Sequence, residues 1–346
     1  MSDIDIRVQG SAGRITLNRP KALNALTYDM IRAITAALAA WRDDAGVKLV
    51  IFDAAGDKAF CAGGDIADLY AGGKAGDYGF GKQFWRDEYR MNAQIAEFPK
   101  PVLSFMQGFT MGGGVGVGCH AGWRVVGETS QIAMPECSIG LVPDVGGSLI
   151  LAQAPGRLGV YLGLTGARMS AGDAILAGFA DHFIPQDKWA SVIAGLTETG
   201  TPEIVDNAAT EPPESQLGDH LGAIDTLFRG STLQDIIQSL KTSESDFARQ
   251  SLKHLARNSP LSMACALEIL TRVRATPTIR DALTQEYRFT ARACEHGDFI
   301  EGIRAAIIDK DRAPNWKHQA SGVTPAEVAA MMAPHNTGDL TWKDME

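Results

Sequence analysis

None of the five cysteines (Cys61, Cys119, Cys137, Cys265 and Cys294) falls in a CxxC pair, and no Cys/His spacing suits zinc. That excludes a disulfide framework and predicts free thiols in a reducing compartment, read here as the cytoplasm. The N-terminus lacks a basic segment followed by an apolar run, so neither signal nor transit peptide is expected. Long apolar runs are missing too. The least polar stretch, 101–118, is broken by six glycines plus Ser104, Gln107 and Thr110, which excludes a membrane helix. Positive charge is scarce: 32 Lys+Arg against 41 Asp+Glu leave a net charge of −9. An acidic chain is a poor nucleic-acid binder, because such binding runs on phosphate neutralisation. It can still hold an anionic small ligand through backbone N–H groups and a few local cations.

What is present is a chain of 346 residues, 45% apolar and 21% charged, which is ordinary globular usage and long enough for a sizeable core. Its first 185 residues alternate strand-like and helix-like segments. Ile4–Val8 and Arg14–Leu17 read as a hairpin around 10–13, and 27–42 as a helix capped by Thr27. Val47–Phe52 reads as a buried strand, about 80–98 as a helix, and Val102–Met106, Trp123–Val126 and Gln131–Ala133 as strands. This order predicts an α/β core with parallel crossovers over 1–197. Residues 198–220 are rich in Pro and Glu and lack periodicity, so they read as a linker or surface loop. From 221 to 346 only helical patterns occur, which predicts a helical C-terminal region.

The 37 glycines, about one residue in ten against a usual ~7%, cluster where strands give way to helices. One cluster is Ala59–Ile66 (AFCAGGDI) and the other Gln107–Gly116. Neither matches GxGxxG or GxxxxGK[ST], so a dinucleotide or P-loop site is a poor reading. Taken singly each is a tight turn. After successive strands, the two would set inward N–H groups side by side, as in an oxyanion hole. Downstream, Glu136 and Asp144 lie in an apolar, glycine-rich stretch. Such surroundings raise a carboxyl pKa and suit proton transfer. The residues alone also allow Glu136 to be an exposed loop acid and Asp144 a helix N-cap.

Four segments together resemble the enoyl-CoA hydratase/isomerase (crotonase) superfamily: LNRPKALNAL at 17–26, AFCAGGDI at 59–66, 108–116 and 134–147. The likeness is closest to its 3-hydroxyisobutyryl-CoA hydrolase branch. Thr110–Gly116 reads TMGGGVG, and the Asp of PDVGG follows the Glu of MPE by eight residues. An acidic pair before Tyr89 (Asp87 and Glu88) and the block 298–317 also match, so the likeness spans about residues 5–318.

The resemblance implies a spiral of ββα turns with a C-terminal helical extension. It implies Gly64 and Gly113 as oxyanion donors, and Glu136 as nucleophile or general base. Asp144 would hold the substrate hydroxyl or position water, and Glu88 would line the acyl pocket. Arg19, Lys21 and Lys58, and more remotely Lys310, would meet the CoA phosphates. Hydratases of the superfamily carry a second Glu two positions after the glycine triplet, where this chain has Gly116.

The implied reaction is thioester hydrolysis of a short 3-hydroxyacyl-CoA, in valine catabolism. An isomerase or hydratase of the same fold, or a non-catalytic acyl-CoA binder, are the alternatives. CoA arrives with the substrate, so no metal or other cofactor is implied. The superfamily is often trimeric or hexameric, which makes a homo-oligomer one expected state. A thiol-nucleophile role for Cys61 would need a His partner that the sequence does not reveal.

Overall fold

A computed structural model describes residues 2–320, 322–335 and 339–342. Among the described residues, nine strands lie before residue 184: β1 (Ile4–Gln9), β2 (Ala12–Leu17), β3 (Leu49–Ala54), β4 (Ala59–Cys61), β5 (Val102–Met106), β6 (Phe109–Met111), β7 (Trp123–Val126), β8 (Gln131–Ala133) and β9 (His182–Phe183). They form a six-stranded sheet, β1-β2-β3-β5-β7-β9, and a three-stranded one, β4-β6-β8. Only the β1/β2 pair is antiparallel, a hairpin closed at Gln9↔Ala12, while every other ladder is parallel. Successive strand pairs β3/β4, β5/β6 and β7/β8 each send one member to the large sheet and one to the small. That alternation is the expected spiral of ββα turns.

The chain divides into two compact units. The first comprises 1–65, 87–133 and 168–218, and the second 66–86, 134–167 and 219–346. The grouping is not sequential, which departs from the expected split at 197 and 220. Two stretches assigned to the α/β core by chain order, 66–86 and 134–167, group instead with the C-terminal helices. Residues 198–218 belong to the β unit. There they form a short helix (Ile204–Ala208), and the buried Asp173 accepts from Leu217 N–H (2.9 Å) and Ser215 Oγ (2.7 Å). This segment is a tethered surface loop.

In the β unit, Leu49 and Ile51, two apart on β3, share a core with Leu103, Phe105 and Val125. The helix Trp189–Thr199 closes that core, with the Trp189 ring edge-on to Phe105 at 5.5 Å. β3 and β5 are buried along nearly their whole length, as parallel strands covered on both faces should be.

The second unit carries no strand among its described residues. Several of its helices start on side-chain caps. Thr232 and Thr324 form reciprocal capping boxes with Asp235 and Glu327, and Thr278 caps the helix Ile279–Ala293.

Candidate active site

The β unit builds a pair of backbone donors. After β4, the first glycine loop is laced to residues 23–26. Ala62 N–H donates to Leu23 O (3.0 Å), Leu26 N–H to Gly63 O (2.9 Å), and Asp65 N–H to Leu26 O (2.7 Å). Buried Asn24 holds this arrangement from below, its Nδ2 donating to Ala55 O (3.0 Å) and Ala59 O (2.9 Å). Sequence reasoning missed Asn24. Its side chain ties together the two ends of the β3–β4 connection while its backbone sits at φ +56, a conformation Asn tolerates better than most residues. The lacing skips the amides of Gly63 and Gly64, neither of which has an acceptor among the described residues.

The second loop reaches the same place. β6 runs into Gly112 (φ +49) and the helix Gly113–Gly118. The first amides of a helix have no intrahelical partner, and Gly113 N–H finds no other acceptor among the described residues. A Cβ placed on Gly113 would lie 3.4 Å from Gly64 N, 3.1 Å from Leu26 Cδ1 and 2.9 Å from Glu88 Oε1. The two unpaired amides are therefore neighbours, with the buried Glu88 carboxylate beside them. At Gly114 a Cβ would meet the Cys61 carbonyl oxygen at 2.2 Å, so only glycine lets this helix seat against β4. Two preorganised N–H groups of this kind suit an oxygen that gains negative charge.

Of the four expected cations, Lys21 and Lys58 line one cavity of about 320 Å³ together with Asn24 and Asp57. Arg19 is already engaged: it bonds Ala25 O (2.7 Å) and Asp65 Oδ2 (3.0 Å), bracing the first glycine loop. Lys310 belongs to the helical unit and is exposed at φ +57. Cys61 is buried, with Sγ donating to Gly63 O (3.5 Å), and burial pushes its thiol up to about 12. Such a thiol stays protonated at neutral pH, so Cys61 is no nucleophile.

The helical unit holds the acids. Glu136 opens a 3₁₀ turn, Glu136–Ile139, closed by Gly140 in the left-handed region. Glu136 is 5% exposed and Asp144 4% exposed, so neither is a solvated loop acid. Burial first, then the negative charge of Asp144, drives the Glu136 carboxyl well above the ordinary Glu range. Its own backbone N–H opposes that shift, and Glu286 adds a smaller push upward. Glu136 Oε2 is buried without a hydrogen-bond partner among the described residues. An orphaned buried oxygen is costly, and here it offers an acceptor to a water or a reacting group.

Asp144 is not the cap of the next helix. The N-cap of Gly147–Gln153 is Gly146, without a side-chain cap of its own. The amides of Gly146 and Ser148 donate instead to a third buried acid, Glu286, at 2.8 and 3.1 Å. Glu286 had no local signal in the sequence, because its partners lie about 140 positions away in the chain.

The model of the family described as enoyl-CoA hydratase/isomerase matches residues 12–332. The chain belongs to the enoyl-CoA hydratase/isomerase family. Within it, the chain is 40% identical over 331 residues to the mitochondrial 3-hydroxyisobutyryl-CoA hydrolase of Gallus gallus, covering 92% of this chain and 85% of that relative. Among solved structures of the same fold, an enoyl-CoA hydratase from Rhodobacter sphaeroides 2.4.1 is 56% identical with a TM-score of 0.94, covering 98% of this chain and all of that one. A carnitinyl-CoA dehydratase from Mycobacterium thermoresistibile is 40% identical with a TM-score of 0.94, covering 99% of each chain. The family's crotonase fold accounts for the spiral described above.

Proposed function

We propose that this protein is an acyl-CoA thioester hydrolase that converts 3-hydroxyisobutyryl-CoA and water into 3-hydroxyisobutyrate and free CoA. The observation that carries the reading is its set of acids: Glu136 and Asp144 form a buried, electrostatically linked pair, while position 116 holds glycine. The 40% identity to a hydrolase over most of both chains supports the same reaction.

In this reading the thioester oxygen accepts from the Gly64 and Gly113 amides as it becomes an oxyanion. Glu136 acts in one of two ways. As a nucleophile its carboxylate adds to the carbonyl carbon, the C–S bond breaks, CoA leaves as a thiolate, and water then cleaves the resulting anhydride. As a general base it takes a proton from water, whose oxygen attacks the same carbon; the C–S bond then breaks and CoA leaves as a thiolate that takes up the proton held by Glu136. Both roles use the ionised carboxylate, so the raised proton affinity of Glu136 acts on the two alike, making the carboxylate more basic and its ionised fraction smaller. Asp144 orients the substrate hydroxyl or the water, and Glu88 offers a polar wall to a hydroxylated acyl group. Lys21 and Lys58 meet the anionic CoA moiety. The reaction needs no metal, and its place is in valine catabolism.

A second reading, hydration of an enoyl-CoA, is favoured by the likeness to an enoyl-CoA hydratase and a carnitinyl-CoA dehydratase. Water addition across a C=C bond needs a proton donor as well as a base, and Gly116 leaves this chain without the second acid. A thiol-release assay over short acyl-CoAs, with and without a 3-hydroxyl, separates the two. Release of CoA thiol from the 3-hydroxyacyl ester is expected, and its absence removes the proposal.

A further inference from the structure

Three buried acids in the helical unit interact, and only two of them have a role in the proposed reaction. The third, Glu286, is wholly buried on the helix Ile279–Ala293, far along the chain from the glycine loops. Its two oxygens take different parts of one short segment. Oε2 accepts from Gly146 N–H (2.8 Å), while Oε1 accepts from Ser148 N–H (3.1 Å) and from the Ser148 hydroxyl. The segment begins at Asp144.

Directly after Asp144 comes Val145 at φ +53. A β-branched residue there is a backbone outlier that persists only where the surroundings over-determine it. Gly146 follows at φ +78, and Gly147 N–H returns to Asp144 O at 2.7 Å. Relaxing Val145 would swing Asp144 out of its buried place. The grip of Glu286 on the next amides opposes that relaxation. Glu286 also does for this helix what a side-chain cap does elsewhere, which leaves Asp144 without that duty.

We propose that Glu286 is a positioning residue for hydrolysis: by gripping the amides of Gly146 and Ser148 it holds the strained Asp144–Val145 backbone, and so fixes the Asp144 carboxylate within electrostatic reach of Glu136. The inference rests on the hydrolase reading and assigns the C-terminal helices a part in the reaction beyond stability.

Glu286→Gln keeps the volume but leaves one acceptor oxygen where two are used. Turnover on 3-hydroxyisobutyryl-CoA should fall about 10- to 100-fold, at ~1.4 kcal/mol per decade. KM should stay within about threefold, and melting temperature should not fall. A merely structural Glu286 would lower melting temperature and leave the turnover of the folded fraction intact, which overturns the inference. If Glu286→Gln does not fold, Ser148→Ala decides, because it deletes one donor and keeps the helix. Lower turnover supports the inference, and unchanged turnover overturns it. The parent enzyme is assayed first. If it releases no thiol, the hydrolase reading fails, and amide exchange at Gly146 and Ser148 in Glu286→Gln decides this inference by itself: faster exchange supports the grip, and unchanged protection overturns it.

Discussion

The two units hold their chemistry in different currencies of structure. The β unit offers two backbone amides, Gly64 and Gly113, and keeps them unpaired by bonding the amides around them to neighbouring carbonyls. Its functional groups carry no side chain, so their placement depends on close backbone packing, as at Gly114 against Cys61. The helical unit offers side-chain acids and keeps them reactive by burial and mutual repulsion. One unit is therefore vulnerable to added atoms and the other to altered charge. Mutations of the two kinds should behave differently.

The largest effect is expected from charge. Glu136→Gln keeps shape and removes the base or nucleophile, so turnover should drop about 1000-fold or more, with CoA-ester binding nearly unchanged. Turnover within tenfold of the parent would take Glu136 out of the reaction. Next comes added bulk: the Cβ of Gly113→Ala meets Glu88 Oε1 at 2.9 Å. Displacing that amide should cost about 100- to 1000-fold in turnover, the usual loss for one oxyanion donor. Equal rates for parent and variant would show that the Gly113 amide is idle. Asp144→Asn should lower hydrolysis by about 10- to 1000-fold. Melting temperature should hold, because Glu286 and not Asp144 satisfies the helix start. Loss of stability without loss of rate would reverse that assignment.

A smaller effect concerns stability against pH. Glu286 is pushed up to about 8 from 4.5, chiefly by burial, with the Asp144 charge adding to it against the opposing bonds from Ser148 and Gly146. The folded state therefore keeps a proton that the unfolded state loses. The associated stability is complete below about 4.5 and declines until pH passes about 8. Melting temperature should fall with rising pH across the upper part of that window, where histidines are already neutral. Glu286→Gln should flatten the slope, and an unchanged slope would contradict this account. The smallest effect is expected from Lys21→Ala with Lys58→Ala. Losing two exposed cations should raise KM for the CoA ester about three- to tenfold, at up to ~1 kcal/mol per pair, and leave turnover alone. No change in KM would remove the cavity they line from CoA binding.

The same contrast explains what was legible in the sequence. The hairpin, the helix from Thr27 and the strands at 47–52, 102–106, 123–126 and 131–133 show clear periods or apolar runs, and each recurs within a residue or two. β4 and β6 were hidden inside what reads as glycine loops, because three residues carry no period. The unit boundaries were illegible for a different reason. Segments 66–86 and 134–167 leave and rejoin the core through contacts distant in sequence. Gly64 and Gly113 were expected as donors only from the family resemblance, and Glu136 and Asp144 stood out as acids in an apolar, glycine-rich stretch, whereas Asn24 and Glu286 act through partners that no local pattern announces.

The central claim is that Glu136 and Asp144, without an acid at 116, support hydrolysis of a 3-hydroxyacyl thioester and do not support hydration of a double bond. The most direct test measures, on one preparation, CoA thiol release from 3-hydroxyisobutyryl-CoA and loss of the conjugated double bond of crotonyl-CoA. The account predicts rapid thiol release and negligible hydration. Efficient hydration with no thiol release would contradict it.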